Sequence, residues 1–175
     1  GLGRAAPTPL RALRLIPPRP AAHGADLFSA SLMAMIRCED INTHADFRPL
    51  SSIDGVRVDL RYAGTNNFAG RVLYRDLDCA WLRREAAEGL ELAAAWLITR
   101  RPGWRLVVLD ALRPQRVQEA IWADVAGTPA EMYFANPRAG SIHSYGMAVD
   151  VTLIDPDGQE VDMGSGFDEM SPTSH

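Results

Sequence analysis

Apolar and polar residues first alternate regularly between residues 56 and 61. Val56, Val58 and Leu60 are separated by charged residues, which is the period-two pattern of a half-buried β-strand. We therefore expect a strand at this position and ordered structure to begin near Ile53.

A second pattern, with a spacing of three to four residues, follows in the next part of the chain. Its apolar members are Leu82, Ala86, Leu90, Ala93 and Leu97. This spacing predicts a long amphipathic helix that ends near Thr99, with Asp76 or Asp78 as the N-terminal cap. The segment 100–103, Arg-Arg-Pro-Gly, is typical of a helix end.

Two further apolar segments predict the centre of a sheet. Residues 105–111 are almost continuously apolar, as in a strand with neighbours on both sides, and Pro114 favours the start of a second helix that ends near Val125. Residues 147–154 predict another strand, followed by a turn and a returning strand at 160–163. This mixture indicates a single α+β domain with a central, mostly antiparallel sheet flanked by helices.

Composition narrows the possible classes of function. The chain has 175 residues, of which 47% are hydrophobic, so it can form one domain with a sizeable core. Its formal net charge of -4 argues against a nucleic-acid partner, and no apolar run is long enough to span a membrane. Cys38 and Cys79 are too few for a disulfide framework or a cysteine zinc site, so we expect unpaired thiols.

The N-terminal part differs in composition from the rest. Residues 1–24 are rich in Arg, Ala and Pro and lack a helical or strand period, so they cannot bury enough apolar surface to offset the entropy of ordering. We expect residues 1–40 to be a disordered or spurious extension and residues 41–175 to form the domain. Prolines interrupt the candidate export signal, which favours a cytoplasmic location over a periplasmic one.

The segment 141–150, Ser-Ile-His-Ser-Tyr-Gly-Met-Ala-Val-Asp, carries the clearest candidate chemistry. Asp150 alternates with the core-like apolar residues of the predicted strand and therefore points to the opposite face. Gly146 permits a tight backbone path that folds His143 back over Asp150. An imidazole and a carboxylate that converge in this way are suitable zinc ligands, although an isolated His-Asp pair is also consistent with an ordinary hydrogen bond.

The spacing Ser-x-His-x-x-Gly-x-Ala-x-Asp of this segment resembles the zinc motif of the D-alanyl-D-alanine peptidase superfamily (peptidase family M15), which includes the VanX-type dipeptidases. Further segments in the same order resemble the VanX branch: residues 59–70, the Asp-x-x-Arg-Pro element at 110–114, and residues 163–168. The resemblance covers about residues 53–175 and implies the hedgehog/DD-peptidase-like fold.

The resemblance also implies the residues of a catalytic site. His143 and Asp150 are implied as ligands of one zinc ion per chain. Arg113 is implied to face the oxygen of the tetrahedral intermediate, where a fixed guanidinium stabilises developing charge. A structural salt bridge is the alternative for an arginine at a strand-helix junction.

Three other residues are implied to bind substrate. Asp168 would bind the free ammonium of a dipeptide, with loop capping as the alternative. Ser141 and Tyr62 would line the substrate pocket, and packing is the alternative for the tyrosine. The expected partner is therefore a small D-amino-acid dipeptide, and the sequence leaves the oligomeric state open.

The sequence departs from the family pattern in one respect. A later Glu-x-x-His element is implied to supply the general base and the third protein ligand of the zinc, and this chain contains no such element. We therefore expect the chain to end before these residues and the fold to be incomplete at its C-terminus.

The implied activity is zinc-dependent hydrolysis of D-alanyl-D-alanine, in cell-wall precursor turnover or glycopeptide resistance. Two alternatives stay open. One is a carboxypeptidase or wall endopeptidase of the same superfamily, which acts on longer peptides. The other is a catalytically inactive fragment that binds metal or peptide.

Overall fold

The computed structural model describes residues 36–171. Most of the expected disordered or spurious extension, up to residue 35, lies outside the described residues. A short 3-10 helix, Cys38–Thr43, crosses the boundary that we expected between residues 40 and 41, and two of its side chains are buried. The division of the chain at that boundary stays a prediction.

Ordered structure begins well before Ile53, contrary to the expectation from the alternating pattern. Strand β1 (Phe47–Pro49) pairs in antiparallel fashion with strand β3 (Trp81–Arg83) to form a two-stranded sheet. The start was misplaced because β1 contains only three residues, too few to show a period of its own.

The main sheet has three strands in the order β2-β4-β5. Strand β4 (Arg105–Asp110) is central, as its apolar sequence predicts; it runs parallel to β2 (Val56–Val58) and antiparallel to β5 (Asp150–Ile154). Two of the three strand pairings in the described residues are therefore antiparallel. The fold class is α+β, as expected.

The first long helix, α1 (Arg84–Arg100), begins later than the sequence predicts. Trp81–Arg83 belongs to β3 instead, and the carboxylate of Asp78 accepts hydrogen bonds from the Ala80 N–H at 3.1 Å and the Trp81 Nε1–H at 2.9 Å. Asp78 thus stabilises a turn and does not cap a helix. The buried face of α1 consists of Ala87, Leu90, Ala94 and Leu97.

The second helix, α2 (Gln115–Val125), begins directly after Pro114, as predicted. Strand β5 is shorter than predicted and begins only at Asp150. The returning segment forms a single bridge between Ile154 and Glu160 and one backbone hydrogen bond from Val161 to Leu153, so it is not a full strand.

Two buried clusters meet near the end of β4. One packs α1 against the main sheet and includes Leu90, Leu97, Leu106 and Val108. The other lies towards α2 and includes Tyr62, Tyr74, Cys79 and Ile121. The end of β4 and the segment that follows it are therefore held from both sides.

Cys38 and Cys79 are free thiols, as predicted, and both are buried. Among the helices of residues 36–171, none is long and apolar enough to cross a membrane.

Candidate active site

A sharp turn before β5 brings His143 and Asp150 together. His143 lies in a 3-10 helix (Ile142–Tyr145) that ends at Gly146, whose φ is +67°. A Cβ at Gly146 would lie 2.8 Å from Cε1 of Phe47, so both the backbone angle and the space require glycine. The turn places Nε2 of His143 3.7 Å from Oδ2 of Asp150.

The other ring nitrogen of His143 is anchored to the backbone. Nδ1 lies 3.0 Å from the carbonyl oxygen of Ala111. Because a carbonyl can only accept, this contact places a proton on Nδ1, and in the neutral ring the lone pair of Nε2 is then directed to Asp150. The backbone of the same segment is also fixed, since the N–H of Arg113 donates to the carbonyl oxygen of His143 at 3.1 Å.

The separation between His143 and Asp150 fits a shared metal ion. Two atoms that ligate zinc at about 2.1 Å with a tetrahedral angle lie about 3.4 Å apart, close to the observed 3.7 Å. Although 44% of the Asp150 side chain is exposed, burial by neighbouring groups raises the pKa of its carboxyl. A cation beside this carboxylate would offset the energetic cost of burying its negative charge.

Asp110 lies in the same cluster but has another function. Among the described residues, Asp110, His143 and Asp150 form a group whose potential ligand atoms lie within 4.8 Å of one another. The Asp110 carboxylate is fully buried, and Oδ1 accepts from the Tyr74 hydroxyl and the Ala111 N–H. Its Oδ2 accepts from Nε and Nη2 of the Arg113 guanidinium. With both oxygens engaged, Asp110 is better suited to hold Arg113 than to bind a metal.

Arg113 is buried beside the His143–Asp150 pair. Its Nη1 donates to Oε1 of Gln118 at 2.8 Å, and its guanidinium lies 5.1 Å from the centre of the Tyr62 ring. Nη2 is 3.9 Å from Oδ2 of Asp150. Burial is the largest single influence on the pKa of Arg113 and lowers it, but the charge and hydrogen bonds of Asp110, together with the neighbouring Tyr62 and Tyr74, raise it more in sum, so the guanidinium stays protonated.

Asp168 is linked to this group through Tyr62. Its Oδ1 accepts from the Tyr62 hydroxyl at 3.0 Å and its Oδ2 from the Phe68 N–H at 3.3 Å. Burial raises the pKa of Asp168 to about 6. Its backbone has a φ of +57°, a left-handed conformation that aspartate tolerates better than most residues.

The structure brings five of the six predicted residues into one connected arrangement. The series of contacts runs from Asp168 through the hydroxyl and ring of Tyr62 to Arg113, and then to the Asp150–His143 pair. Ser141 is buried at the start of the 3-10 helix that carries His143, and its carbonyl oxygen accepts from the Ser144 N–H at 2.9 Å.

Two residues of this arrangement were not predicted as site residues. Asp110 ends the buried strand β4, and a charged residue at the end of an apolar run is a recognisable signal. Gln118 is a polar residue on the buried face of α2, at helical spacing from Ile121 and Val125. Both signals were available in the sequence.

Comparisons with known proteins assign the chain to a family. The model of the Peptidase_M15 family, described as D-ala-D-ala dipeptidase, matches residues 44–175. A D-alanyl-D-alanine dipeptidase of Escherichia coli (strain K12) is 38% identical over 120 residues, which are 69% of this chain and 59% of the relative.

More distant relatives have the same name. A D-alanyl-D-alanine dipeptidase of Synechocystis is 32% identical over 119 residues, 53% of this chain and 48% of the relative. One of Enterococcus faecium is 33% identical over 144 residues, 70% of this chain and 68% of the relative. The chain thus spans about half to two thirds of the length of these relatives.

Proposed function

The chain belongs to the Peptidase_M15 family of D-ala-D-ala dipeptidases, and from this membership we propose that the protein hydrolyses D-alanyl-D-alanine with the help of zinc. The observation that carries the proposal is the convergence of Nε2 of His143 and Nη2 of Arg113 on the same oxygen of Asp150, at 3.7 Å and 3.9 Å. A metal site beside a buried cation is suited to an acyl-transfer reaction in which negative charge develops on oxygen.

We assign the metal to His143 and Asp150. When bound, zinc supplies polarisation of the scissile carbonyl and a lower pKa for a water molecule. The Ala111 carbonyl oxygen keeps the His143 ring in the required tautomer. Because the 175 residues contain no Glu-x-x-His, we assign neither a third protein ligand nor a general base.

Arg113 is assigned to the developing charge on the substrate oxygen. Its contacts with Asp110, Gln118 and Tyr62 hold the guanidinium in place before substrate binds. A donor that needs no reorganisation stabilises a transition state more effectively than a mobile one. The buried position of Arg113 strengthens this effect because water does not screen the charge.

Asp168 is assigned to the free ammonium of the dipeptide. Its carboxylate already accepts two hydrogen bonds, from Tyr62 and Phe68, which fix its orientation. With a pKa of about 6, it is largely ionised at neutral pH. We place Tyr62 and Ser141 in the same substrate pocket, Tyr62 because it contacts both Asp168 and Arg113.

The test compares two substrates in the presence of zinc. D-Ala-D-Ala has a free ammonium, whereas N-acetyl-D-Ala-D-Ala does not, so only the first can pair with Asp168. We expect hydrolysis of D-Ala-D-Ala and at least tenfold weaker hydrolysis of the acetylated form, roughly the loss of one charge-assisted hydrogen bond. Asp168→Asn should reduce this preference, and Asp157→Asn, in an exposed turn, is the matched control.

The result also separates the alternatives. Equal hydrolysis of both compounds favours a carboxypeptidase or endopeptidase of the same superfamily. Zinc binding without any hydrolysis favours a protein that binds metal or peptide only, and the missing Glu-x-x-His element is the observation behind that alternative. Cytoplasmic location and a role in precursor turnover or glycopeptide resistance stay predictions.

A further inference from the structure

A fully buried glutamine lies behind the candidate site. Gln118 has no exposed surface, and such burial is uncommon for this residue type. Its Oε1 accepts from Nη1 of Arg113 at 2.8 Å, and its Nε2 donates to the carbonyl oxygen of Ala135 at 2.6 Å. Both ends of the amide have partners, so its orientation is fixed.

The contacts of Arg113 show what the bond to Gln118 adds to the orientation of the guanidinium. Nε and Nη2 both donate to the same atom, Oδ2 of Asp110. Two donors that share one acceptor leave the guanidinium free to rotate about that acceptor, unlike a bidentate pair with two oxygens. Nη1 lies on the opposite side of the group, and its bond to Gln118 prevents the rotation.

One nitrogen of Arg113 with a remaining N–H lies near a candidate metal ligand. A guanidinium has five N–H groups, and three are used by Asp110 and Gln118. Of the two that remain, one is on Nη2, which lies 3.9 Å from Oδ2 of Asp150. The Tyr62 ring covers one face of the group, so a rotation in the plane is the movement that Gln118 opposes.

We propose that Gln118 is a positioning residue, which holds the guanidinium of Arg113 so that its free N–H groups are directed to the substrate oxygen that gains charge. This role rests on the proposed function, because it needs a reaction in which such a charge develops. A displacement of a catalytic donor by about 1 Å can lower the rate roughly a hundredfold. Gln118 therefore acts through Arg113 without contacting substrate.

Three variants separate the two bonds of Gln118. Gln118→Met keeps the length of the side chain and removes both bonds. Gln118→Glu keeps an acceptor for Arg113 and removes the donor to Ala135. Gln115→Met is the matched control, because Gln115 Nε2 donates to the Pro137 carbonyl oxygen at 2.9 Å, in the same segment as Ala135, without contacting Arg113.

The first measurement is ¹⁵N NMR of the Arg113 guanidinium in the zinc-loaded chain. It reports rotation of the group and does not depend on turnover. We expect slow rotation and separate Nη signals in the wild type, Gln115→Met and Gln118→Glu, and at least tenfold faster rotation in Gln118→Met. Unchanged rotation in Gln118→Met would overturn the proposal.

The second measurement is the affinity of the zinc-loaded chain for two ligands, D-Ala-D-Ala and its phosphinate analogue. The phosphinate carries the negative oxygen of the tetrahedral state, so its binding depends on Arg113. We expect Gln118→Met to weaken binding of the phosphinate about ten- to a hundredfold. Binding of the dipeptide should weaken less than threefold. Gln118→Glu and Gln115→Met should each stay within about tenfold of the wild type for both ligands.

Two outcomes contradict different claims. Gln118 would only support the fold if Gln118→Met weakened the binding of both ligands equally. The same conclusion would follow if Gln115→Met lost as much affinity for the phosphinate as Gln118→Met. A wild-type chain that binds neither ligand would contradict the proposed function and the reaction role of Gln118 with it, whereas the NMR result would still show whether Gln118 holds Arg113.

Discussion

At the scale of single residues, the two nitrogens of His143 have different partners. Nδ1 is held by the Ala111 carbonyl oxygen at 3.0 Å, and Nε2 faces Oδ2 of Asp150 at 3.7 Å. The backbone contact therefore selects the tautomer that can bind a cation. His143 and Asp150 should contribute to one metal site together.

We expect His143→Gln and Asp150→Asn each to raise the Kd for zinc at least about tenfold, because each removes one ligand. His44→Gln is the control, since His44 lies outside the cluster near the 3-10 helix Cys38–Thr43. Isothermal titration calorimetry measures the Kd for zinc of all three variants. Zinc affinity that is unchanged in both ligand variants would contradict the assignment.

Asp168 gives a prediction about pH. Its pKa in the fold is about 6, raised from 3.8 chiefly by burial, so the folded state binds its proton more tightly than the unfolded state. The contribution of Asp168 to stability is therefore complete below pH 4 and is lost as the pH rises through 6. Asp168→Asn should remove this dependence, which urea unfolding at pH 4, 5, 6 and 7 would reveal.

The comparison for Asp168 uses the slope of stability against pH, since the asparagine also loses one acceptor at every pH. An identical slope in the wild type and in Asp168→Asn would mean that the carboxyl titrates normally. The same titration links stability to the proposed function: the carboxylate that destabilises the fold above pH 6 is the form able to bind an ammonium.

Sequence patterns predicted that His143 and Asp150 converge, because local backbone geometry determines their positions. Glycine at position 146 and the alternation of apolar residues towards Asp150 are visible within ten residues. Asp110 carries a local signal as the charged end of an apolar strand, but its role in holding Arg113 was missed because that role depends on contacts with Tyr74 and Arg113. The Tyr74 contact joins residues 36 positions apart, and no local pattern indicates it.

At the scale of elements, the turn at Gly146 connects the fold to the site. Gly146→Ala would place a Cβ on a residue whose φ is +67°, 2.8 Å from Cε1 of Phe47. We expect a loss of about 2–4 kcal/mol in the free energy of unfolding and weaker zinc binding, because His143 lies in the same turn. Urea unfolding and calorimetry measure the two effects.

Gly158→Ala is the matched control for this turn. Gly158 has a φ of +80°, but a Cβ there would have nothing within 4 Å, so only the backbone strain of about 1–2 kcal/mol applies. It should leave zinc affinity unchanged. If Gly146→Ala lowered the free energy of unfolding no more than Gly158→Ala does, the close contact with Phe47 would add nothing to the requirement for glycine at position 146.

The start of α1 shows where element prediction failed. The apolar spacing continues through Leu82, but Trp81–Arg83 pairs with Phe47–Pro49 as a strand. Strand preference depends on a partner that a local window does not contain. Within α1, Leu90 and Leu97 are buried as predicted. The predicted Ala86 and Ala93 are only partly buried, and their neighbours Ala87 and Ala94 are buried instead.

The buried face of α1 can be tested with two leucines on the same helix. Leu90 is 1% exposed and Leu92 is 72% exposed. Leu90→Ala should lower the free energy of unfolding by about 2–5 kcal/mol, through lost burial and a cavity, and Leu92→Ala by less than about 0.5 kcal/mol. Similar effects in urea unfolding would contradict the packing of α1.

At the scale of the whole molecule, the two buried clusters support one face of the site. The cluster around α1 fixes β4 and β5, and the cluster around Tyr62 and Tyr74 fixes the segment that carries Arg113. The region that matches the family, residues 44–175, contains all six predicted site residues. The fold thus brings residues from separate segments close together, and the potential ligand atoms of Asp110, His143 and Asp150 lie within 4.8 Å of one another.

The most direct test is a crystal structure of the zinc-loaded chain with anomalous diffraction at the zinc edge. We expect an anomalous peak about 2.0–2.2 Å from both Nε2 of His143 and a carboxylate oxygen of Asp150, with Arg113 still bound to Asp110. A peak away from these two side chains, or zinc bound to Asp110 with Arg113 displaced, would contradict the account.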